Sequence, residues 1–300
     1  MSKKIFITGS TGFVGINCLK FFKKDYSFTL YNKNENNIIT NEDVVLHLAG
    51  KAHDLKKAFN VKEYYEVNTD LTIKFFNNFI KSNAKVFIFL SSVKAVKDDD
   101  IDNLTEETIP YPNTHYGKSK LLAEQYILNN VIPVGKRVYI LRPCMIHGPG
   151  NKGNLTLLYK MISNRLPWLL GSFENKRSFC SIDNLCFIIN EIIENYQIPS
   201  GIYNISDDEP VSTNDLIRLI AESQAKKPFI LNIPKSIIII LSRLGNIFKL
   251  PLNTERLKKL TETYIVSNNK IIQAINKSLP VSSKEGLIKT LNTFGNSKSH

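Results

Sequence analysis

The chain is 300 residues long, 43% of them apolar, and its 39 Lys and Arg against 27 Asp and Glu leave a formal net charge of +12. That content builds a sizeable core in one large domain or two smaller ones. The basic excess is nearly all lysine, with seven arginines in the chain and no dense basic block or basic–aromatic interleaving, which argues against nucleic acid and for a solvated face that attracts anionic substrates. The four cysteines show no metal-ligand spacing and no disulfide framework, so no metal is expected. No run of about 18 apolar residues occurs. Met1-Ser2-Lys3-Lys4 leads directly into a strand pattern with no signal-peptide core, so a cytoplasmic location is expected.

Lys4–Thr8 predicts the first strand, and the turn Thr8-Gly9-Ser10-Thr11-Gly12-Phe13-Val14-Gly15 leads from it into a helical pattern starting near Phe13. Phe28–Tyr31 predicts a second strand, ending on Asn32 and Lys33. The polar stretch from Asn32 to Asp43 is too short for a full strand, helix and strand, so any third strand is only Asn37–Thr40 and the adenine end of a dinucleotide site is expected to be shallow. Further strands are expected at Val44–Leu48, Val86–Leu90, Val138–Leu141 and Gly201–Ile205. Runs rich in Val, Ile and Phe on both faces fit buried parallel strands, and helical stretches between them fit βαβ units. The fold class is therefore α/β, a doubly wound parallel Rossmann sheet with ligands at the carboxyl ends of its strands.

After Gly150 the alternation loosens. Residues 1–150 read as the dinucleotide-binding domain, with a later sheet segment from about 178–205 interleaved, and 151–300 as mainly a smaller substrate-binding α/β domain. Helices are predicted over Leu155–Leu166, over Asp183–Tyr196 with Asp183 as N-cap, and over Thr213–Ser223, followed by a lysine-rich, proline-punctuated tail. Within that tail Lys235–Phe248 contains Ile237-Ile238-Ile239-Ile240-Leu241, too short to span a bilayer. It reads as a buried or dimer-facing helix, with a surface-lying membrane contact as the alternative.

Two motifs carry chemistry. Gly9, Gly12 and Gly15 follow a strand and open a helix, which permits a tight turn, close approach of backbone to a pyrophosphate, and a helix N-terminus aimed at it. The acidic ribose partner of such sites belongs where this chain has Asn32 and Lys33. A neutral side chain beside a cation accommodates a 2′-phosphate, which favours NADP(H) over NAD(H). Farther on, Tyr116 and Lys120 lie four apart and share one helix face. Tyrosine is a poor acid–base group at neutral pH, and an ammonium one turn away is expected to bring its pKa toward the working range.

These motifs resemble the extended short-chain dehydrogenases/reductases of the nucleotide-sugar epimerase/dehydratase superfamily, over roughly residues 3–290. The resemblance rests on the Gly-x-x-Gly-x-x-Gly turn, Val45-Leu46-His47-Leu48-Ala49-Gly50, Asn68-Thr69 opening a helix, Phe89-Leu90-Ser91-Ser92 and the Tyr116/Lys120 pair. It continues through Leu141-Arg142-Pro143 with Gly148-Pro149-Gly150, Arg177-Ser178-Phe179 with Asp183, and Gly201-Ile202-Tyr203-Asn204. It implies Tyr116, Lys120 and Ser92 as catalytic, Ser92 bonding the reacting sugar oxygen and Ser91 as its neighbouring substitute. It implies a cofactor bed of Gly9, Thr11, Gly12, Phe13, Val14, Gly15, Asn32, Lys33, Leu48, Ala49, Gly50, Asn68, Ser91, Tyr116, Lys120 and Pro143, the last beside Arg142 at the nicotinamide end. Arg177 is implied to pair with a substrate diphosphate, work suited to a bidentate guanidinium, and Asn154 to hold the nucleotide. Lys94 and His53 are further substrate candidates; Cys144 and His147 read as packing or substrate contacts.

Departures from the family pattern narrow the reaction. Sugar 4,6-dehydratases follow the hydroxyl residue with Asp-Glu where this chain has Val93-Lys94, and UDP-galactose 4-epimerases place an asparagine where it has Met145. The blocks around Ser92 and Gly50 look more like bacterial reductases of 4-keto-6-deoxy-N-acetylhexosamine nucleotides. The expected function is therefore a UDP-4-keto-sugar reductase in bacterial surface-glycan precursor synthesis. A UDP-sugar 4-epimerase with tightly held NAD is the alternative, and a non-catalytic NADP-binding scaffold is a third reading. By analogy, the helices near Asn68 and Tyr116 would form a homodimer interface.

Overall fold

The computed structural model describes residues 2–33, 41–52, 60–151, 153–248 and 252–296. In chain order the first half contains β1 (Lys4–Thr8), α1 (Phe13–Phe22), β2 (Ser27–Leu30), β3 (Val44–His47), α2 (Val61–Tyr65), a π-helical turn (Glu66–Asp70), α3 (Leu71–Lys81), β4 (Val86–Leu90), a 3₁₀ turn (Val93–Ala95), β5 (Ile101–Leu104), α4 (His115–Leu128) and β6 (Arg137–Pro143). There follow β7 (Met145–His147), α5 (Asn154–Ser163), β8 (Phe179–Ser181), α6 (Ile182–Glu194), β9 (Gly201–Ile205), α7 (Thr213–Glu222), α8 (Lys235–Ile247), α9 (Thr254–Thr261), β10 (Tyr264–Val266), α10 (Asn269–Ile275) and α11 (Ser283–Asn296).

Alternation along the strands sorts the core into layers. Ile5 and Ile7 of β1, Val44 and Leu46 of β3, and Ile88 of β4 pack on one face with Cys18 and Phe22 of α1 and Leu185, Ile188 and Ile192 of α6. Phe6, Val45, Phe87 and Phe89 point to the other face, against Phe75, Phe76 and Phe79 of α3 and Ala123 and Ile127 of α4. Among the described residues the sheet has six parallel strands in the order β2-β1-β3-β4-β6-β9. The order reverses at β1, which opens a crevice between the carboxyl ends of β1 and β3. The expected strand Asn37–Thr40 lies outside the described residues, and in the described sheet β2 is the edge strand.

A second core joins α5, α7, α8, α9 and α11 through residues such as Tyr159, Trp168, Ile217, Ile238, Leu257 and Leu287. Parallel pairs β7–β8 and β5–β10 bind this part to the sheet domain. The stretch read as a tail after Ser223 is thus folded chain, and its β10 returns to pair with β5 near the site. Two helix ends differ from expectation. Ser181, not Asp183, caps α6, because its hydroxyl accepts the Asp183 N–H. Helix α5 stops at Ser163 because Arg165 takes a positive φ of 57° ahead of Pro167. Helix α8, expected to be buried or dimer-facing, buries only Ile238, Ser242 and Gly245 in this chain.

Candidate active site

The floor of the site lies at the β1/β3 crevice. Gly9 has φ +70°, and a Cβ there would meet the Ala49 backbone nitrogen at 2.7 Å, so the turn and the strand-end loop can approach this closely only with glycine. Thr11 and Gly12 are exposed, Phe13 and Val14 half-buried and Gly15 buried. No side chain caps α1 at its N-cap Gly12, which leaves its first N–H groups and its positive dipole end toward the crevice. This cradle fits a dinucleotide pyrophosphate. Leu48 is buried at the end of β3, and Asn32 and Lys33 are exposed at the end of β2.

A directed hydrogen-bond chain sets the loop after β3. The Ala49 N–H donates to Thr8 Oγ1 at 3.1 Å, and the Thr8 hydroxyl donates to His47 Nδ1 at 2.7 Å. His47 Nε2 donates to Thr72 Oγ1 at 2.9 Å, and Thr72 donates onward to the Asn68 carbonyl at 2.8 Å. Burial pushes the His47 pKa down to about 3, with Lys120 adding a smaller push, so the ring is neutral and this one tautomer satisfies every partner. Asn68, buried in the π-helical turn, accepts from Lys51 N at 2.8 Å and donates to Lys51 O and to Ser119 Oγ at 3.0 Å. Its side chain therefore ties the β3 loop to α4, in the strand-side region where it was expected to meet cofactor.

Ser92, Tyr116 and Lys120 come together above this floor. Thr114 caps α4 by accepting the Gly117 N–H, and Gly117 lacks the Cβ that would collide with the Lys94 carbonyl. This close approach brings the hydroxyl of Ser92 into a hydrogen bond with Tyr116. Ser92 also accepts the Lys94 N–H at 3.2 Å as cap of the 3₁₀ turn. Burial raises the Tyr116 pKa, the Ser92 hydrogen bond opposes it and the nearby Tyr64 adds to it, so the phenol is held protonated. The Tyr64 ring meets Tyr116 edge-on at 6.4 Å, and its buried hydroxyl has no hydrogen-bond partner among the described residues. The Lys120 ammonium donates to the Leu90 carbonyl at 2.8 Å and lies 4.7 Å from the Phe89 ring centre. It also stands 3.0 Å from where a Gly50 Cβ would be. Burial brings its pKa down to about 8. Lys120 thus sits under the cofactor crevice, and the expected lowering of the phenol by its charge is not what this arrangement does; burial dominates.

Ser91 turns the other way. Its hydroxyl donates to Glu124, whose carboxylate also receives Arg142 Nε at 3.1 Å and Nη2 at 2.5 Å, all of them buried. This knot fastens α4 to the ends of β4 and β6, so Ser91 and Arg142 serve the scaffold here, and Pro143 ends β6 buried beside them. His147 is likewise enclosed, between Thr290 at 2.8 Å and Asp207 at 3.4 Å, and Cys144 is buried with its thiol pKa raised by burial.

On the outer side, the Lys94 ammonium rests 4.1 Å over the Tyr264 ring and donates to the Asp98 carbonyl. Burial lowers its pKa, with Glu262, Asp98 and Arg177 all within reach. Arg177 Nη2 pairs with Glu262 at 2.5 Å and Nη1 donates to the Lys259 carbonyl at 2.8 Å. The two cations expected to meet substrate are therefore adjacent, with Glu262 on the Arg177 guanidinium. Asn154 is the first residue of α5, and His53 lies outside the described residues. Among the described residues no group of three His, Cys, Asp or Glu could hold a metal ion.

A family model described as "NAD dependent epimerase/dehydratase family" matches residues 5–206. The chain belongs to this family. It is similar to a UDP-glucose 4-epimerase of Vibrio cholerae, 30% identical over 98% of this chain and 96% of that protein. It is also similar to an N-acetyl-alpha-D-glucosaminyl-diphospho-ditrans,octacis-undecaprenol 4-epimerase of Escherichia coli O157:H7, 27% identical over 76% of this chain and 74% of that protein. Reductases match as well, among them a dTDP-4-dehydro-6-deoxyglucose reductase of Escherichia coli. The solved UDP-glucuronic acid 4-epimerase of Bacillus cereus, in complex with NAD, superposes with a TM-score of 0.74 at 18% identity over 98% of this chain and 96% of that one. Other solved neighbours hold NAD or NADPH. This epimerase/dehydratase chain is an extended short-chain dehydrogenase/reductase, a nicotinamide-dependent enzyme.

Several residues of its site escaped the sequence reading. Glu124 lies four residues after Lys120 on the same helix, a spacing that marks a charge pair, yet its tie to Ser91 and Arg142 exists only in three dimensions. Thr8, His47 and Thr72 were visible as polar residues in apolar runs, a signal for a buried network. Tyr64, Glu262 and Tyr264 gave no signal at all.

Proposed function

We propose that the chain reduces carbon 4 of a UDP-linked 4-keto sugar, with NADP(H) as the favoured cofactor. The observation that carries this reading is Tyr116, a buried phenol kept protonated beside Ser92. A reductase needs an acid there. A nicotinamide dinucleotide held at the Gly9–Gly12 turn and the start of α1 would supply a hydride for carbon 4, leaving a carbonyl oxygen that needs a proton. Tyr116 gives its proton to that oxygen and Ser92 orients it by hydrogen bonding. Lys120, a buried cation held on the Leu90 carbonyl beside Gly50, favours the bound dinucleotide. Lys94 and Arg177 would receive the substrate diphosphate, Arg177 exchanging its Glu262 carboxylate for phosphate oxygens.

Exposed Asn32 and Lys33, the described residues at the end of β2, support NADP(H). The likeness to the Vibrio cholerae 4-epimerase favours a second reading on the same machinery. There NAD would stay held at the same turn and would take and return the hydride, while Tyr116 would first accept and then return the proton. Incubation with UDP-sugars and 4-keto-UDP-sugars, each with NADH or NADPH, separates them by absorbance. Stoichiometric loss of NADPH supports the reductase, and sugar interconversion without net loss supports the epimerase. Lys33→Asp should shift preference from NADP(H) toward NAD(H) while sparing turnover; an unchanged preference would mean the ribose end is read elsewhere. Dimerisation through α3 and α4 is part of this reading, with Leu122 and Leu128 exposed on α4 as contact residues.

A further inference from the structure

We infer that α8 docks the protein on an anionic lipid surface. Ile238, Ser242 and Gly245 fix one side of the helix to the second core. Helical spacing puts Ile237, Ile240, Leu241, Leu244, Ile247 and Phe248 in one stripe on the exposed part, at i, i+3, i+4 and i+7. These side chains are open to solvent, Ile240 at 56%, Phe248 at 68% and Ile247 at 72%. A contiguous apolar face of this kind marks a contact surface, whereas scattered exposed apolar residues do not.

Charge chooses the occupant. Arg243 and Ser236 border the stripe, Lys235 opens the helix beside the Phe173 ring, and α8 contains no acidic residue. The whole chain adds a net +12. Apolar side chains flanked by cations on a short helix form the pattern that lies in the plane of a bilayer, its apolar stripe in the acyl boundary and its cations at anionic headgroups. Thirteen residues make a helix of about 20 Å, too short to cross a hydrocarbon core and suited to lying on it. No helix among the described residues is long and apolar enough to cross a membrane.

The stripe is also coupled to the site. Asn246 donates to Thr254 Oγ1 at 3.0 Å and accepts the Thr254 N–H at 3.2 Å, binding α8 to the start of α9. The far end of α9 supplies the Lys259 carbonyl, and Glu262 just beyond it, to Arg177. A lipid surface held by α8 therefore lies one helix away from the Lys94–Arg177 cations. The docking is independent of which reaction the site performs.

The test is flotation of the full-length protein with vesicles of phosphatidylglycerol or of phosphatidylcholine. Wild type is expected to float with phosphatidylglycerol and at least about tenfold less with phosphatidylcholine. Ile240→Ser/Ile247→Ser/Phe248→Ser is expected to lose at least about tenfold in partitioning, with unchanged circular dichroism and unchanged turnover of a soluble nucleotide sugar. Wild type that stays off both vesicles, or a triple variant that binds like wild type, overturns the inference. So does a wild-type dimer that the triple variant converts to monomer without any vesicle binding, since the stripe would then be covered by a second copy. Should the triple variant misfold, Ile247→Cys gives a separate reading, because all four native cysteines are buried and a polarity-sensitive thiol dye reports position 247. A blue shift on phosphatidylglycerol vesicles supports the docking, and an unchanged spectrum contradicts it.

Discussion

Two opposing influences meet at the Tyr116 oxygen: burial raises its pKa and the Ser92 hydrogen bond draws it down, with burial the larger. Tyr116→Phe deletes the oxygen and little else, so folding and dinucleotide binding should persist while turnover falls by roughly 10²–10⁴-fold. Near-normal turnover, measured by reduced-nicotinamide absorbance, would remove Tyr116 from the mechanism. Glu124 is a different case, since it takes no part in the chemistry yet carries the buried charge opposite Arg142. Glu124→Ala leaves that cation unpaired, and denaturant unfolding should show a loss of about 3–5 kcal/mol. A loss under about 1 kcal/mol would mean Arg142 finds other partners. Tyr116 and Lys120 were legible because a helix repeats every three to four residues. The carbonyl that holds Lys120 and the carboxylate that holds Arg142 were not, because both contacts join elements brought together by the sheet.

At the scale of elements, the π-helical turn and the end of β3 are joined through His47. Its pKa, pushed down to about 3 by burial, lies below the ordinary histidine value near 6.5. The unfolded chain thus binds the proton more readily than the folded one between those values. The stability that neutral His47 contributes is complete above about pH 6.5 and is lost progressively as pH falls toward about 3. Melting temperature followed from pH 7 to 3 should fall more steeply in wild type than in His47→Gln. Parallel curves would show that His47 is not the group being titrated. The six strands of the main sheet were legible to within a residue or two because their runs are mostly apolar, whereas the short β5, β7, β8 and β10 were not. Helix ends were less so: Ser181 and Asp183 are both good capping residues, and only the backbone geometry chooses Ser181.

In the molecule as a whole, a six-stranded sheet between helices was readable from the alternation of apolar runs, as was the crevice implied by the glycine turn. Of the last quarter only α8 was. Its lysines and prolines give no strand or helix pattern beyond α8, yet α9 and β10 fold back to place Glu262 and Tyr264 on Arg177 and Lys94. Such returns depend on long-range packing that leaves no local period in the sequence. In the proposed reaction a hydride goes to sugar carbon 4 while Tyr116 supplies the proton. NADPH carrying deuterium on its transferable position, incubated with a UDP-4-keto sugar and followed by NMR, tests it most directly. One equivalent of oxidised cofactor and deuterium at carbon 4 of the product are expected. Unlabelled product, or cofactor left intact while the sugar changes, would contradict it.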